Sequence, residues 1–394
     1  MKNDMLLLSD SIKDDLVRYR RTIHKNPECG KQLPKTRAYV KGLLREFGYD
    51  PVDLCESSVI ADISGGSSKK AVLLRADMDA LPIRERAEID FKSENGNMHA
   101  CGHDMHTAML LGAARLLMLM RDKLSGTVRL VFQQDEEGLT GARSLIDAGV
   151  LDGLDIGAAL ALHIHSGTPT DTVMCGSGTC MAGPVFFRIT VHGTGCHGAM
   201  PETGVDPIYI AAQIYSSIQE ILAREICAVQ PALITVGKFL GGDAANVIPD
   251  RVVMEGSVRT MDSELSAHIF SRIRDISIST AQMLRGSAEV VSTASVPPLT
   301  NDPILTEKVV SYIEELTNRP VILFDGKGMG SDDFSFFTDA VPGVYLLLGA
   351  GTREENPLFG KPTHNEQVVF NEAVLPTGSA ILAHCAMQWL RDHT

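Results

Sequence analysis

The sequence predicts an α/β chain of two domains: a larger one built on a parallel or mixed sheet, interrupted by a smaller inserted α+β domain. Three observations carry this. Continuous apolar strand-like runs alternate with helical segments from about 71 to 165, the pattern of strands covered on both faces. Near Ala182-Gly183-Pro184 the texture changes, and Val185, Phe187, Ile189 and Val191 alternate onto one face, as in a half-exposed strand. After Pro297-Pro298 the first texture returns. A length of 394 residues fits about two domains.

The elements follow in order. Residues 11–25 read as an amphipathic helix, with Ile12, Leu16, Tyr19 and Ile23 on one stripe. AVLLRADMD (71–79) is a buried strand, and 104–121 a helix with Asp104 near its N-terminus. GTVRLVFQQDEE (126–137) is a second strand, followed by a short helix near 139–148 and a third strand, IGAALALHIH (156–165). In the insertion, the strand VFFRITVHGTG precedes a helix at 205–224, strands near 232–239 and 251–260, a helix at 263–285 and a strand near 288–296. That β-α-β-β-α-β order predicts an open-faced sandwich of the ferredoxin-like type. A helix (303–318), the strand VYLLLGAG (344–351) and a helix (371–392) complete the first domain. The expected division is 1–182 plus 297–394 against an inserted 183–296, joined at one pair of crossings.

Composition narrows the function classes. With 44% hydrophobic and 22% charged residues, the chain sits among soluble globular proteins. No stretch approaches the ~20 apolar residues of a membrane span. MKNDMLLLSDSIKDD lacks the long apolar core of a secretory signal, so a cytoplasmic location is expected. A net charge of −13 without a Lys/Arg cluster argues against nucleic-acid binding. Eight cysteines in a large cytosolic chain are expected as thiols rather than disulfides.

The chemistry sits where the buried strands end. The first ends in Asp77-Met78-Asp79, the second in Gln134-Asp135-Glu136-Glu137, the third in His163-Ile164-His165. Open α/β sheets bind ligands at the carboxyl ends of their strands. HACGHDMH (99–106) adds a thiol and three imidazoles. Thiolate and imidazole suit zinc and its later-transition-metal neighbours, and carboxylates bridge or cap. Glu136 and Glu137 are expected to point different ways off an extended chain, so that one ligates while the other handles a water proton. His99 and His106 border this cluster. A lone His24 or His384 fits a packed or surface histidine.

At these residues the sequence resembles the N-acyl-amino-acid amidohydrolases: the aminoacylase, hippurate hydrolase and auxin-conjugate hydrolase group, related to the two-zinc glutamate carboxypeptidases. The resemblance covers nearly the whole chain. It runs through RRTIHKNPE (20–28), RADMDALP (75–82), MHACGHDMHTA (98–108), DEEG (135–138), HGTGCHGAMP (192–201), GGDAANVIPD (241–250), SVRT (257–260), GMGSDDFSFF (328–337) and PTHNE (362–366). MHACGHDMHTA is long and specific, whereas DEEG alone would be weak.

The resemblance implies a two-zinc peptidase-like catalytic domain with a mixed central sheet and a lid. It implies two divalent transition-metal ions (Zn, Mn, Co or Ni) on Cys101, His103, Glu137, His163 and His364, with Cys101 the candidate bridge. Glu136 takes the place of the general base, and Asp77 and Asp79 support the ligands from behind. Asn246 and Arg259 match positions that take the substrate's carboxylate. His197 matches an imidazole that steadies the oxyanion, supplied across a homodimer formed by the lids. The implied reaction is hydrolysis of a small N-acyl amino acid; a dipeptidase or carboxypeptidase on the same scaffold, or a non-catalytic metal-binding protein, are the alternatives. The sequence departs from the family pattern at Gln134-Asp135, Cys196 and Glu202, and Asp135 is expected to raise the pKa of Glu136 by like-charge repulsion.

Overall fold

In a computed structural model, which describes residues 2–325 and 328–394, the run AVLLRAD becomes the strand Lys70–Asp77, buried from Ala71 onward. Thr127–Gln133 pairs with it in parallel on one side, Asp77 opposite Gln133. Asp155–His165 pairs in parallel on the other, Arg75 opposite Ala161. Gly343–Gly349 extends the parallel set, with Leu347 opposite His163. Ser58–Ser64 and Val173–Cys175 add antiparallel neighbours on either side, so the sheet is mixed. Among the described residues it has eight strands, in the order Val52–Leu54, Ser58–Ser64, Thr127–Gln133, Lys70–Asp77, Asp155–His165, Gly343–Gly349, Val173–Cys175, Ile322–Leu323.

Residues two apart on a strand share a face, which separates the core from the chemistry. Val72, Leu74, Leu130, Phe132, Leu160, Leu162, Leu346 and Leu348 join the main hydrophobic core. Helices His103–Leu119 and Leu375–Asp392 contribute to that core. Arg75, Asp77, Gln133, His163 and Tyr345 belong to the opposite face. The amphipathic stripe at the N-terminus forms the helix Lys13–His24, which buries Leu16, Tyr19 and Ile23. A separate helix, Lys2–Ser11, precedes it.

The chain divides into two compact units. The first comprises Met1–Gly178, Thr300–Gly326 and Asp332–Thr394; the second comprises Thr179–Leu299 and Lys327–Ser331. The expected single pair of crossings is therefore corrected to two pairs. Gly328 explains the second pair: it exchanges main-chain hydrogen bonds of 3.0 Å with Cys180 and Ala182, which draws the segment into the second unit. That unit orders its strands Ala232–Gly241, Arg251–Thr260, Gly183–His192, Ser287–Ser295, all antiparallel, which is the ferredoxin-like arrangement. Helices Pro207–Glu220 and Ser263–Met283 cover one face. Asp206 and Asp262 cap them, accepting from Ile208 N at 2.8 Å and Leu265 N at 2.9 Å. No helix among the described residues is long and apolar enough to cross a membrane.

Two glycines test the packing. A Cβ on Gly112 would lie 2.2 Å from Ser379 Oγ and 2.6 Å from Leu16 Cδ2, whereas one on Gly42 meets nothing within 4 Å. Gly112→Ala should cost ~1–3 kcal/mol through overpacking. Gly42→Ala, in the helix Pro34–Glu46, should gain ~0.5–1 kcal/mol from helix propensity. Opposite shifts of the melting temperature by calorimetry check the pair; shifts of the same sign refute this account of the crossing.

Candidate metal centre

Sequence-distant segments meet at the carboxyl ends of the parallel strands. Cys101 lies in the turn before the helix that His103 opens. Gly102 between them has φ 89°, and a Cβ there would sit 2.3 Å from Ile164 Cδ1; only glycine fits this turn. His163 stands near the end of its strand, its Nε2 3.5 Å from Cys101 Sγ. His364 arrives on a loop with φ 65°, its amide tied to Ala100 O at 2.9 Å. Its Nε2 is 3.3 Å from Glu137 Oε1. Potential ligand atoms gather within 4.8 Å in the sets Cys101/His103/His163, Cys101/Glu137/His364 and His103/Glu136/Glu137.

The glutamate pair is not on an extended strand. The strand stops at Gln133, and Asp135 at φ 56° starts a turn closed by Leu139 N donating to Glu136 O at 2.7 Å. Asp79 holds this turn from below: its two oxygens accept from Glu136 N at 3.0 Å and Glu137 N at 3.1 Å. Asp135 itself accepts from the Thr140 hydroxyl. The expectation that Asp135 is the like charge acting on Glu136 is thus corrected. Burial, then Asp332 and Asp333, push the Glu136 carboxyl well above the usual range. Those three carboxylates, all buried, place oxygens within 4.8 Å of one another.

Arg75 organises the floor, a role missed in the sequence. Fully buried, it donates to Gln133 Oε1 at 2.9 Å, Asp77 Oδ2 at 2.7 Å and Asp333 Oδ1 at 2.9 Å, with Asp332 Oδ1 3.1 Å away. Asp77 in turn accepts from His106 Nδ1 at 2.6 Å, and His106 Nε2 accepts the Ile164 amide at 2.9 Å. Because an amide can only donate, that contact fixes the tautomer with the proton on Nδ1. His106 is therefore fully engaged and orients the strand end that carries His163. The missed residues had a visible mark: a lone arginine amid Leu73, Leu74 and Ala76 requires buried carboxylates.

His103 is the opposite case. Both ring nitrogens are buried without a hydrogen-bond partner, as is Glu137 Oε1. Burial lowers a histidine, yet Asp77 and Cys101 hold His103 well above its ordinary value. Burial raises Glu137, yet His364 and His103 hold it low. Burial pushes the Cys101 thiol up to about 12. Buried donors and acceptors left orphaned around thiol, imidazole and carboxylate fit a cation that takes all of them at once.

His24 is the packed histidine that was expected, and it is tied into a buried network. Its Nδ1 is 2.8 Å from Asp104 Oδ2 and its Nε2 3.1 Å from Glu85 Oε1, while Arg20 Nε donates to Asp104 Oδ2 at 2.6 Å. All four are buried, and Asp104 directly follows His103. Of the second-unit residues, His197 lies opposite Val247, its Nδ1 accepting from Ala199 N at 3.0 Å, and Gly198 N donates to Asn246 O at 2.8 Å. Arg259 is set apart from them, opposite Pro184 near the other end of strand Arg251–Thr260. It donates to Met329 O at 2.8 Å.

The chain belongs to peptidase family M20/M25/M40, whose sequence profile matches residues 73–388. It is similar to thermostable carboxypeptidase 2 of Saccharolobus solfataricus, 36% identical over 393 residues, covering 98% of this chain and 97% of that protein. It is 37% identical over 358 residues to the N-acetyl-L-cysteine deacetylase of Bacillus subtilis, covering 88% of this chain and 85% of that one. The crystal structure of the Bacillus subtilis YXEP protein, described as a dinuclear metal-binding peptidase of the M20 family, superposes with a TM-score of 0.82 at 30% identity, over 97% of this chain and 99% of that one. The family read from the motifs and the family found by comparison agree.

The Arg20–Asp104 pair yields a test. Arg20→Met leaves a fully buried carboxylate without its cation and should cost ~3–5 kcal/mol, read from urea unfolding. A loss below ~1 kcal/mol, the range of surface ion pairs, would show that the pair does not brace the metal loop.

Proposed function

We propose that the chain hydrolyses the amide bond of N-acyl amino acids in the cytoplasm, releasing a carboxylate and a free amino acid, with two divalent transition-metal ions. His103 carries the reading: its buried ring nitrogens make no hydrogen bond and face the carboxylates of Asp79 at 3.5 Å, Glu136 at 3.8 Å and Glu137 at 4.0 Å, a set of donors that suits a cation among them. Cys101, His103 and His163 would hold one ion and Cys101, Glu137 and His364 the other, with Cys101 shared; Zn, Mn, Co and Ni all suit this donor set. When bound, such ions polarise the amide carbonyl and bring the pKa of a water toward ~7.

The chain's own residues do the rest. Glu136 accepts the proton of the attacking water and returns it to the departing amine. Its burial beside Asp332 and Asp333 raises its affinity for a proton. Asp79 fixes its turn, and Asp77 and Arg75 fix the floor. His197 steadies the oxyanion, and Asn246 and Arg259 take the product carboxylate. Eight residue steps of strand separate Arg259 from Arg251, roughly 25 Å, and Asn246 and His197 lie toward the Arg251 end. One substrate reaches all three more readily if a second copy supplies Asn246 and His197, which supports a homodimer through the second unit. Similarity to a carboxypeptidase favours a second reading, in which the acyl part bears a free amine.

Dialysis against a chelator should abolish hydrolysis of an N-acetyl, N-benzoyl and dipeptide panel, and a divalent metal should restore it, N-acyl substrates best. Glu136→Gln should lower kcat by ~100- to 10,000-fold at unchanged metal content, and Glu137→Gln should also lose metal. Activity in protein proven metal-free by elemental analysis, or metal loss confined to Glu136→Gln, would sink this assignment.

Mixing tests the dimer. Glu136→Gln and His197→Ala should each be nearly inactive alone, and a co-expressed heterodimer should regain up to half the wild-type activity. A heterodimer confirmed by mass and still inactive places His197 in its own chain's site or outside catalysis.

A further inference from the structure

The motif RRTIHKNPE (20–28) has no part in the mechanism above, yet its histidine is buried among charges. His24 ends the helix Lys13–His24 with a carboxylate on each ring nitrogen. Nδ1 is 2.8 Å from Asp104 Oδ2, and Nε2 is 3.1 Å from Glu85 Oε1. An ionised carboxylate only accepts, so a ring that serves two of them carries a proton on both nitrogens. Burial lowers the pKa of His24, but Asp104 and Glu85 outweigh it and hold the ring above its ordinary value. Arg20 stands beside Asp104. The ring of Phe91 lies 5.3 Å from that of His24, and the ring of His99 6.2 Å.

The two carboxylates belong to segments that lead to candidate ligands. Asp104 follows His103 in the helix that His103 opens. Glu85 lies in the loop between Leu81 and Met98, which holds no helix or strand and whose ends exchange main-chain hydrogen bonds of 3.0 and 2.9 Å. The next residue, Arg86, donates its amide to Glu366 O at 2.7 Å and sets its Nε 3.3 Å from Glu366 Oε2. Glu366 is two residues past His364. His24 therefore stands where two paths meet, one running to His103 and the other to His364.

The two ties are not equivalent. Asp104 also has Arg20 Nε at 2.6 Å. Among the described residues Glu85 has no cation within 4 Å other than His24, and its second oxygen accepts from Ser93 N at 2.6 Å. Without the charge on His24, Asp104 stays answered while Glu85 is left buried and unpaired. The loop that reaches Glu366 then has to move.

We propose that His24 is a positioning residue: with a proton on each ring nitrogen, it fastens the loop of Glu85 to the helix of His103, and through Arg86 and Glu366 it holds His364 ready for the outer ion. The proposal rests on the two-ion reading above. It makes the outer ion, on Cys101, Glu137 and His364, depend on His24 more than the inner one does.

Two measurements on the full chain test this. Nitrogen-15 NMR of the histidine side chains should show both His24 nitrogens protonated at pH 7. Chelator titration of the cobalt-loaded protein should release the ions in two steps, and the step altered in His364→Ala marks the outer ion. In His24→Gln, affinity at that step should fall about 10- to 100-fold, as for other groups that orient a ligand from behind, with the inner step within about threefold. Glu85→Gln cuts the same tie from its other end and should reproduce the loss, and it carries the test if His24→Gln does not fold. A wild type that binds fewer than two ions sinks the metal reading and this proposal with it. With two ions bound, three results overturn this proposal alone: a bare ring nitrogen on His24, an outer step within twofold of wild type, or two steps that weaken alike, since general loss of stability would explain the last.

Discussion

One guanidinium sets the geometry of this site. Arg75 is enclosed in the sheet, 2% exposed, and it stays there only because Asp77, Asp332 and Asp333 answer its charge. Each of those carboxylates has a second task. Asp77 fixes His106 and through it the strand end that presents His163. Asp333 accepts from Gln133 Nε2 at 2.7 Å and Ala142 N at 2.8 Å, which ties the following helix to the strand before it. Asp332 faces Glu136. The cation that stabilises the floor also positions the groups that act above it.

The ligand candidates divide by their surroundings. Cys101, His103 and His163 are held by strand ends, a helix start and a turn in which only glycine fits, so their geometry is set before any ion arrives. Glu137 and His364 differ: the Glu137 side chain is 16% exposed, and that of His364 is 52% exposed on a loop in a left-handed conformation. A rigid inner triad and an adaptable outer pair suit a centre in which one position holds and the other exchanges with solvent and substrate.

Much of this arrangement was legible in the sequence, for physical reasons. Parallel strands buried on both faces must be continuously apolar, so AVLLRAD and AALALHIH announced themselves, and their polar ends marked the site. Strands of two or three residues, such as Val52–Leu54 and Ile322–Leu323, have no period to detect and form only because a neighbour is present. The helix Pro34–Glu46 was legible in principle, since Thr36, Val40, Leu43 and Leu44 keep helical spacing. The turn at Asp135 was not, because a non-glycine residue at positive φ carries no local mark. Arg20 and His24 continue the stripe of Leu16 at four-residue intervals; charged residues on a buried stripe mean a buried network, and here that network holds Asp104, the residue after His103.

The order of the chain has a consequence for biogenesis. His364 and the helix Leu375–Asp392, which helps form the main core, follow the whole second unit in the chain and are synthesised after it. Until then the thiol and imidazoles around Cys101 belong to a half-built sheet lacking the strand Gly343–Gly349. Pairings this far apart along the chain form slowly. The nascent protein therefore passes through an interval in which soft ligands are exposed to any metal at hand, and the ion captured first depends on the cellular metal pool as well as on the finished pocket.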